Sequence, residues 1–298
     1  MDLAQTITLA KKREWQPIKA WLAQATPETA YERLKYLAYH IGPSDIEGPI
    51  VTSQSDHFGT VLRSALLYFL ALRGRAGRLP GKMSDRQTFD YSYGLFAAHE
   101  GFIACLDANP DFGLAAAFEM GCAIDPFDDE HKDLAEAQLL RSASVPLSGY
   151  MNLMMARSEK WGGDHATMFR VARSRRDAAR VGTFALIARA HFERRLYYMA
   201  FDEAPDASER YHSYYDRDVM AELLDASATV CTATGQDAAE VRLADTWLSV
   251  TMMDAGKNRT AVKHLDRLGK FEDPTAWYIF NNAKMLRFMT RINAWAGR

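Results

Sequence analysis

Few of the residues in this chain that could do chemistry are spaced for it. His191 and Glu193 lie two positions apart on a helical stretch. Two metal ligands on one helix face need a separation of three or four, so this pair points in different directions. His191 stands beside an apolar stripe and reads first as a hydrogen-bonded, half-buried histidine. His165 follows Lys160-Trp161-Gly162-Gly163-Asp164. Lys160, His165 and the free N–H groups of a helix start could together hold an anion. Asp164 argues against it, because its carboxylate would already occupy that positive end and cap the helix. No nucleotide-binding glycine loop, nucleophile elbow, His-Glu-x-x-His pair or carboxylate cluster with ligand spacing is present. No catalytic residue, metal site or cofactor is therefore assigned from the sequence.

Two further groups suit binding. Residues 170–195 hold eight arginines, among them Arg173, Arg176 and Arg180, against Asp177 and Glu193, a local balance of +6. On one surface such charge could dock an acidic protein partner; paired or solvated helix faces are the plainer reading. The total net charge of -2 argues against nucleic acid. Downstream, Tyr211, Tyr214 and Tyr215 are flanked by Arg210, His212, Asp216 and Arg217. Rigid tyrosine rings suit interfaces as well as inter-helix cores.

The elements that must position these residues are nearly all helices. Ala, Leu, Met, Arg and Glu dominate, and alternating β-branched runs are nearly absent. Polar-residue–proline pairs at Thr26-Pro27, Asn109-Pro110, Asp125-Pro126 and Asp273-Pro274 read as helix starts. Ser84 with Gln87 fits a capping box, and Gly235 and Gly256 fit helix C-termini. The spacing predicts helices over 2–11, 15–23, 27–40, 58–73, 85–107, 111–123, 127–142, 146–158, 165–175, 181–201, 207–233, 237–254, 258–268 and 274–295. Residues 42–55, with two prolines, and 74–82, rich in glycine, read as loops. The glycines at 162 and 163 permit positive φ and a tight reversal.

At 298 residues, 48% hydrophobic and 25% charged, the chain has an ordinary globular composition. One helical-repeat-like domain over 1–298 is expected, with a helical hairpin over 1–41 before the 42–55 loop. No stretch reaches the ~20 apolar residues of a membrane helix. Residues 1–12 lack a basic segment followed by an apolar run, so a cytoplasmic location is expected. Three dispersed cysteines read as free thiols.

The segment Glu159 to Phe169, with its Lys-Trp-Gly-Gly turn, resembles a motif of uncharacterised bacterial tetratricopeptide-like proteins, a family of unknown function. The resemblance extends more loosely over about 94–198 and takes in Ala190-His191-Phe192-Glu193. It implies an all-α, irregular α-solenoid of stacked helix hairpins, with a closed helical bundle as the alternative, and carries over no catalytic residue. Residues 109–125, with Ala115, Ala116 and Gly121, look like one repeat helix, although no clean thirty-four-residue period runs through the chain. The function expected is a scaffold for a protein or peptide partner. The alternative is an enzyme or small-ligand protein with a pocket near Trp161-Gly162-Gly163 and His191.

Overall fold

The computed structural model describes residues 2–46, 50–53, 56–75, 82–125, 129–271, 273, 276 and 283–297. These form fifteen α-helices and no strand; one isolated bridge joins Phe112 and Ala143. The all-α expectation holds. The chain divides into two compact units, Met1–Ala156 and Arg157–Arg298.

The first unit contains α1 (Leu3–Lys11), α2 (Trp15–Ala23), α3 (Pro27–His40), α4 (His57–Arg75), α5 (Asp85–Ala108), α6 (Gly113–Cys122), α7 (Asp129–Arg141) and α8 (Leu147–Ala156). A short 3-10 turn, Pro43–Ile46, lies inside the expected 42–55 loop. Every residue of α6 is buried. Its composition allows this: Gly113, Ala115, Ala116, Ala117 and Gly121 let neighbouring helices come close on all sides. A Cβ on Gly121 would stand 2.7 Å from the Tyr68 hydroxyl and 2.8 Å from Asn152 Nδ2. Phe118 fills the centre, stacked at 4.3 Å on Tyr31 and 5.4 Å on Phe102, with Phe69 edge-on at 5.6 Å. Offset and edge-on rings add roughly 0.5–1.5 kcal/mol per pair to simple burial.

The second unit contains α9 (His165–Ser174), α10 (Thr183–Ala200), α11 (Ala207–Ser213), α12 (Arg217–Thr232), α13 (Ala238–Asp254), α14 (Asn258–Leu268) and α15 (Ala283–Trp295). Helices α10 and α13 pack together at its centre, and α9, α11 and α12 lie on α10. Phe184, Leu186, Ile187, Leu248, Val250 and Met252 are almost wholly buried.

Most capping signals act as read. Thr26 accepts from the Thr29 N–H, and Ser84 and Gln87 form a reciprocal capping box. Gly235 and Gly256 both take φ of 70°. Asn109-Pro110 differs: Asn109 caps the C-terminus of α5, and α6 begins only at Gly113. The single helix expected over 207–233 is two helices. Asp216 accepts from the N–H groups of Asp218 and Val219, which starts α12 afresh and separates it from α11. Of the Asp125-Pro126 start, residues 126–128 lie outside the described residues, as does most of 274–282. Asp273 does accept from the Ala276 N–H at 3.2 Å, as a capping aspartate would.

Candidate functional site

The Trp-Gly-Gly turn is a 3-10 turn, Glu159–Trp161, closed by backbone bonds. The Ser158 carbonyl accepts from the N–H of Trp161 at 3.0 Å and of Gly163 at 3.1 Å. The two glycines serve different purposes. Gly162 takes φ +89°, as expected, whereas Gly163 is not in the positive-φ region. Gly163 is needed for close approach: a Cβ there would lie 2.1 Å from the Arg157 carbonyl oxygen. Trp161 is half-buried. Asp164 caps α9, accepting from the Thr167 N–H at 2.7 Å and its hydroxyl at 2.8 Å, and these bonds hold its carboxyl below the usual range. The helix start is thus already satisfied by a carboxylate.

Lys160 does not face an open pocket. Its ammonium donates to Oε2 of buried Glu193 at 2.7 Å. Burial alone would raise the Glu193 pKa, but Lys160 and Arg189 hold it below the ordinary value. His165 Nε2 lies 3.1 Å from Glu159 Oε2 without hydrogen-bond alignment, and its ring meets Tyr197 edge-on at 5.0 Å. Burial pushes its pKa down.

Two sequence-selected residues converge on one that the sequence did not single out, Glu222, and a third bonds one of them. His191 Nε2 is 2.9 Å from Glu222 Oε2, and Arg173 grips both carboxylate oxygens at 2.9 and 2.8 Å. Tyr214 completes the group, its hydroxyl 2.8 Å from His191 Nδ1. Bonds from His191 and Arg173 hold Glu222 strongly ionised. An ionised carboxylate only accepts, so His191 carries its proton on Nε2 and receives the Tyr214 hydroxyl at Nδ1. Burial keeps the His191 pKa low and the Tyr214 pKa high. This is a closed polar network between α9, α10 and α12.

Three more arginines of the basic stretch are paired with acids. Arg176 pairs with Asp225, and Arg180 reaches Glu240 Oε1 through Nε at 3.2 Å and Nη2 at 2.6 Å. Arg195 bonds Asp254 and lies 3.9 Å over the Tyr211 ring and 5.1 Å over Tyr215. Tyr215 donates to the other Asp254 oxygen at 2.6 Å. Four of the eight arginines thus pair with acids 49 to 60 positions downstream. Tyr211 and Tyr214 contact α10 through Arg195 and His191, and Tyr215 bonds Asp254 on α13.

Two constellations escaped the sequence. The first is in the first unit. His99 Nδ1 and His131 Nε2, on α5 and α7, each lie 2.8 Å from the same oxygen, Oε1 of Glu119 on α6. The imidazole rings stand 4.7 Å apart at 75°. Glu119 is 1% exposed, and its Oε2 is buried with no hydrogen-bond partner among the described residues. Two imidazoles and a carboxylate are donors that first-row divalent metals accept. The separations of 20 and 12 residues on three helices left no local motif to read.

The second is in the second unit. Ser227 Oγ lies 2.8 Å from His264 Nε2, and His264 Nδ1 lies 2.7 Å from Asp245 Oδ1. The connectivity is that of a nucleophilic triad. Its setting is not: Ser227 is 5% exposed and His264 0%, both inside helix contacts, and Arg267 binds both Asp245 oxygens at 3.0 Å. The relay ties α12, α13 and α14 together.

Comparison of the chain with protein-family models, curated proteins and solved structures gave no match in any of the three.

Proposed function

We propose that this chain is a tetratricopeptide-like helical scaffold that docks a protein or peptide partner through an outward-facing apolar helix surface. The observation that carries the reading is the orientation of α15. Met285, Phe288, Met289, Ile292 and Trp295 fall on one face and are 58%, 61%, 43%, 39% and 89% exposed. On the other face Arg287 and Thr290 are buried, at 7% and 2%. A surface helix ordinarily turns its apolar stripe to the core. Exposed contiguous apolar surface rich in methionine and aromatics suits recognition. In the first unit α5 likewise exposes Phe89 and Tyr93, stacked at 6.1 Å.

The solenoid part of the reading is supported by packing between successive helices: α4 with α5, α5 with α6, α13 with α14, and α14 with α15. Gly94 against Ala71 and Gly149 against Ala117 supply the close approaches that stacked helix pairs need. The kinship with tetratricopeptide-like proteins bearing a Lys-Trp-Gly-Gly turn belongs to the same proposal, as does a cytoplasmic location. No helix among the described residues is long and apolar enough to cross a membrane.

The test is a Phe288→Asp/Ile292→Asp variant compared with the wild type in quantitative co-purification from source-cell extract. Loss of specific partners with an unchanged circular dichroism spectrum is expected. Equal retention of the same partners overturns the assignment of the face. Concentration-dependent self-association of the wild type, abolished in the variant, would show instead that a second copy covers it.

A further inference from the structure

Independently of the docking reading, we propose that His99, Glu119 and His131 form a binding site for a first-row divalent transition metal ion such as Zn²⁺. Three observations carry this. The donor atoms converge: both imidazole nitrogens aim at one carboxylate oxygen, and all three ligand atoms lie within 4.8 Å of one another. Both rings are directed at Oε1, while its twin oxygen, Oε2, stays buried with no hydrogen-bond partner among the described residues. A cation at the point of convergence would compensate the buried carboxylate, whose second oxygen has no donor of its own among the described residues.

The three ligand atoms lie within 4.8 Å of one another and must settle onto tetrahedral edges when the metal binds. Zn–N and Zn–O bonds of about 2.0–2.2 Å in a tetrahedron put ligand atoms roughly 3.3–3.5 Å apart. The two nitrogen–oxygen edges of 2.8 Å must open by about half an ångström, which side-chain rotation supplies. Metal binding requires Nδ1 of His99 and Nε2 of His131 without a proton, each ring carrying any remaining proton on its other nitrogen.

The third observation is access. The side chain of Glu119 is 2% exposed, but those of His99 and His131 are 21% and 18% exposed. The carboxylate forms the floor and the imidazoles form a rim open to solvent. Three protein ligands leave a fourth position for water, the arrangement of an open rather than a closed metal site. Imidazole donors select against Mg²⁺ and Ca²⁺, which prefer all-oxygen shells.

The experiment uses tag-free full-length protein stripped with chelator. Titration with Zn²⁺ and with Co²⁺ should give one equivalent bound, with a Kd of about 10 µM or tighter, and Co²⁺ should develop the visible bands of a four- or five-coordinate ion. His99→Ala and His131→Ala should each weaken binding at least tenfold, and Mg²⁺ in large excess should not compete. The chain has eight histidines. Should either variant misfold, imidazole NMR of the wild type replaces it: Zn²⁺ should shift His99 and His131 and leave the other six in place. Binding weaker than the stated Kd, unchanged binding in both folded variants, or Zn²⁺ shifts confined to other histidines each overturns the assignment.

Discussion

The Lys160 ammonium on the Trp-Gly-Gly turn sits 2.7 Å from Oε2 of Glu193, a buried carboxylate on α10. The most distinctive motif of the sequence is thereby anchored to the helix carrying His191. The only other cation bonded to Glu193 among the described contacts is Arg189, at 3.4 Å. Lys160→Met leaves the carboxylate under-compensated in a dry site, and removing one partner of a buried pair costs about 3–5 kcal/mol. With Arg189 retained, we expect the low end of that range by urea unfolding at pH 7. Lys160→Met/Glu193→Leu should recover much of the loss, because the uncompensated charge goes with it. A single variant within about 0.5 kcal/mol of wild type, the range of an ordinary surface change, would show that the pair does not anchor the turn.

Acid should loosen the second unit through His191 and Glu193. His191 has its pKa lowered below 6.5 by burial. The unfolded chain therefore takes up a proton near pH 6.5 that the folded chain refuses, and stability falls as pH drops below that value. Glu193, lowered below 4.5, contributes stability that is complete above pH 4.5 and disappears as pH falls through its folded value. Proton NMR should place the His191 titration below 6.5 and show a second decline in urea midpoint below pH 4.5. A His191 midpoint above 6.5 would contradict its burial as a neutral acceptor for Tyr214.

The turn glycines should differ sharply when replaced. Gly162→Ala meets nothing within 4 Å but must hold φ +89°, a left-handed strain of roughly 1–2 kcal/mol. Gly163→Ala drives a methyl to 2.1 Å from the Arg157 carbonyl, a backbone atom that cannot swing away. The second substitution should lower the melting temperature well beyond the first. Equal losses would mean that the turn rearranges freely.

Local chemistry explains what the sequence disclosed. Caps act within a few residues, so Thr26, Ser84, Asp164 and Gly235 announced their helix ends directly. Asn109-Pro110 misled because the same pair that can open a helix also ends one: proline cannot extend α5. The break at Asp216 was hidden inside a continuous helix-forming composition. Non-local pairing was illegible. Arg173, Arg176, Arg180 and Arg195 read as part of a charged patch because their partners Glu222, Asp225, Glu240 and Asp254 lie on later helices. The convergence of His99, Glu119 and His131 required knowing that α5 and α7 both pack on α6. The exposed face of α15 was equally hidden, since its apolar spacing alone resembles any core-facing helix.

The Ser227–His264–Asp245 relay provides the last test, because its connectivity and its burial predict opposite behaviour. A working nucleophile needs an approach path to Oγ and N–H groups aimed at the developing oxyanion. Ser227 lies within α12, where the N–H groups are spent on the helix, and His264 has no exposed surface. Asp245, 1% exposed, is also clamped by Arg267. The relay should therefore act as a polar fastener. Ser227→Ala should cost about 1 kcal/mol, the value of one hydrogen bond. Asp245→Ala should cost about 3–5 kcal/mol, since it strips a buried charge from its partners. A fluorophosphonate probe should leave Ser227 unmodified in the folded protein at pH 8, by intact mass. Stoichiometric labelling that His264→Ala abolishes would establish a reactive serine and an opening between α12 and α14.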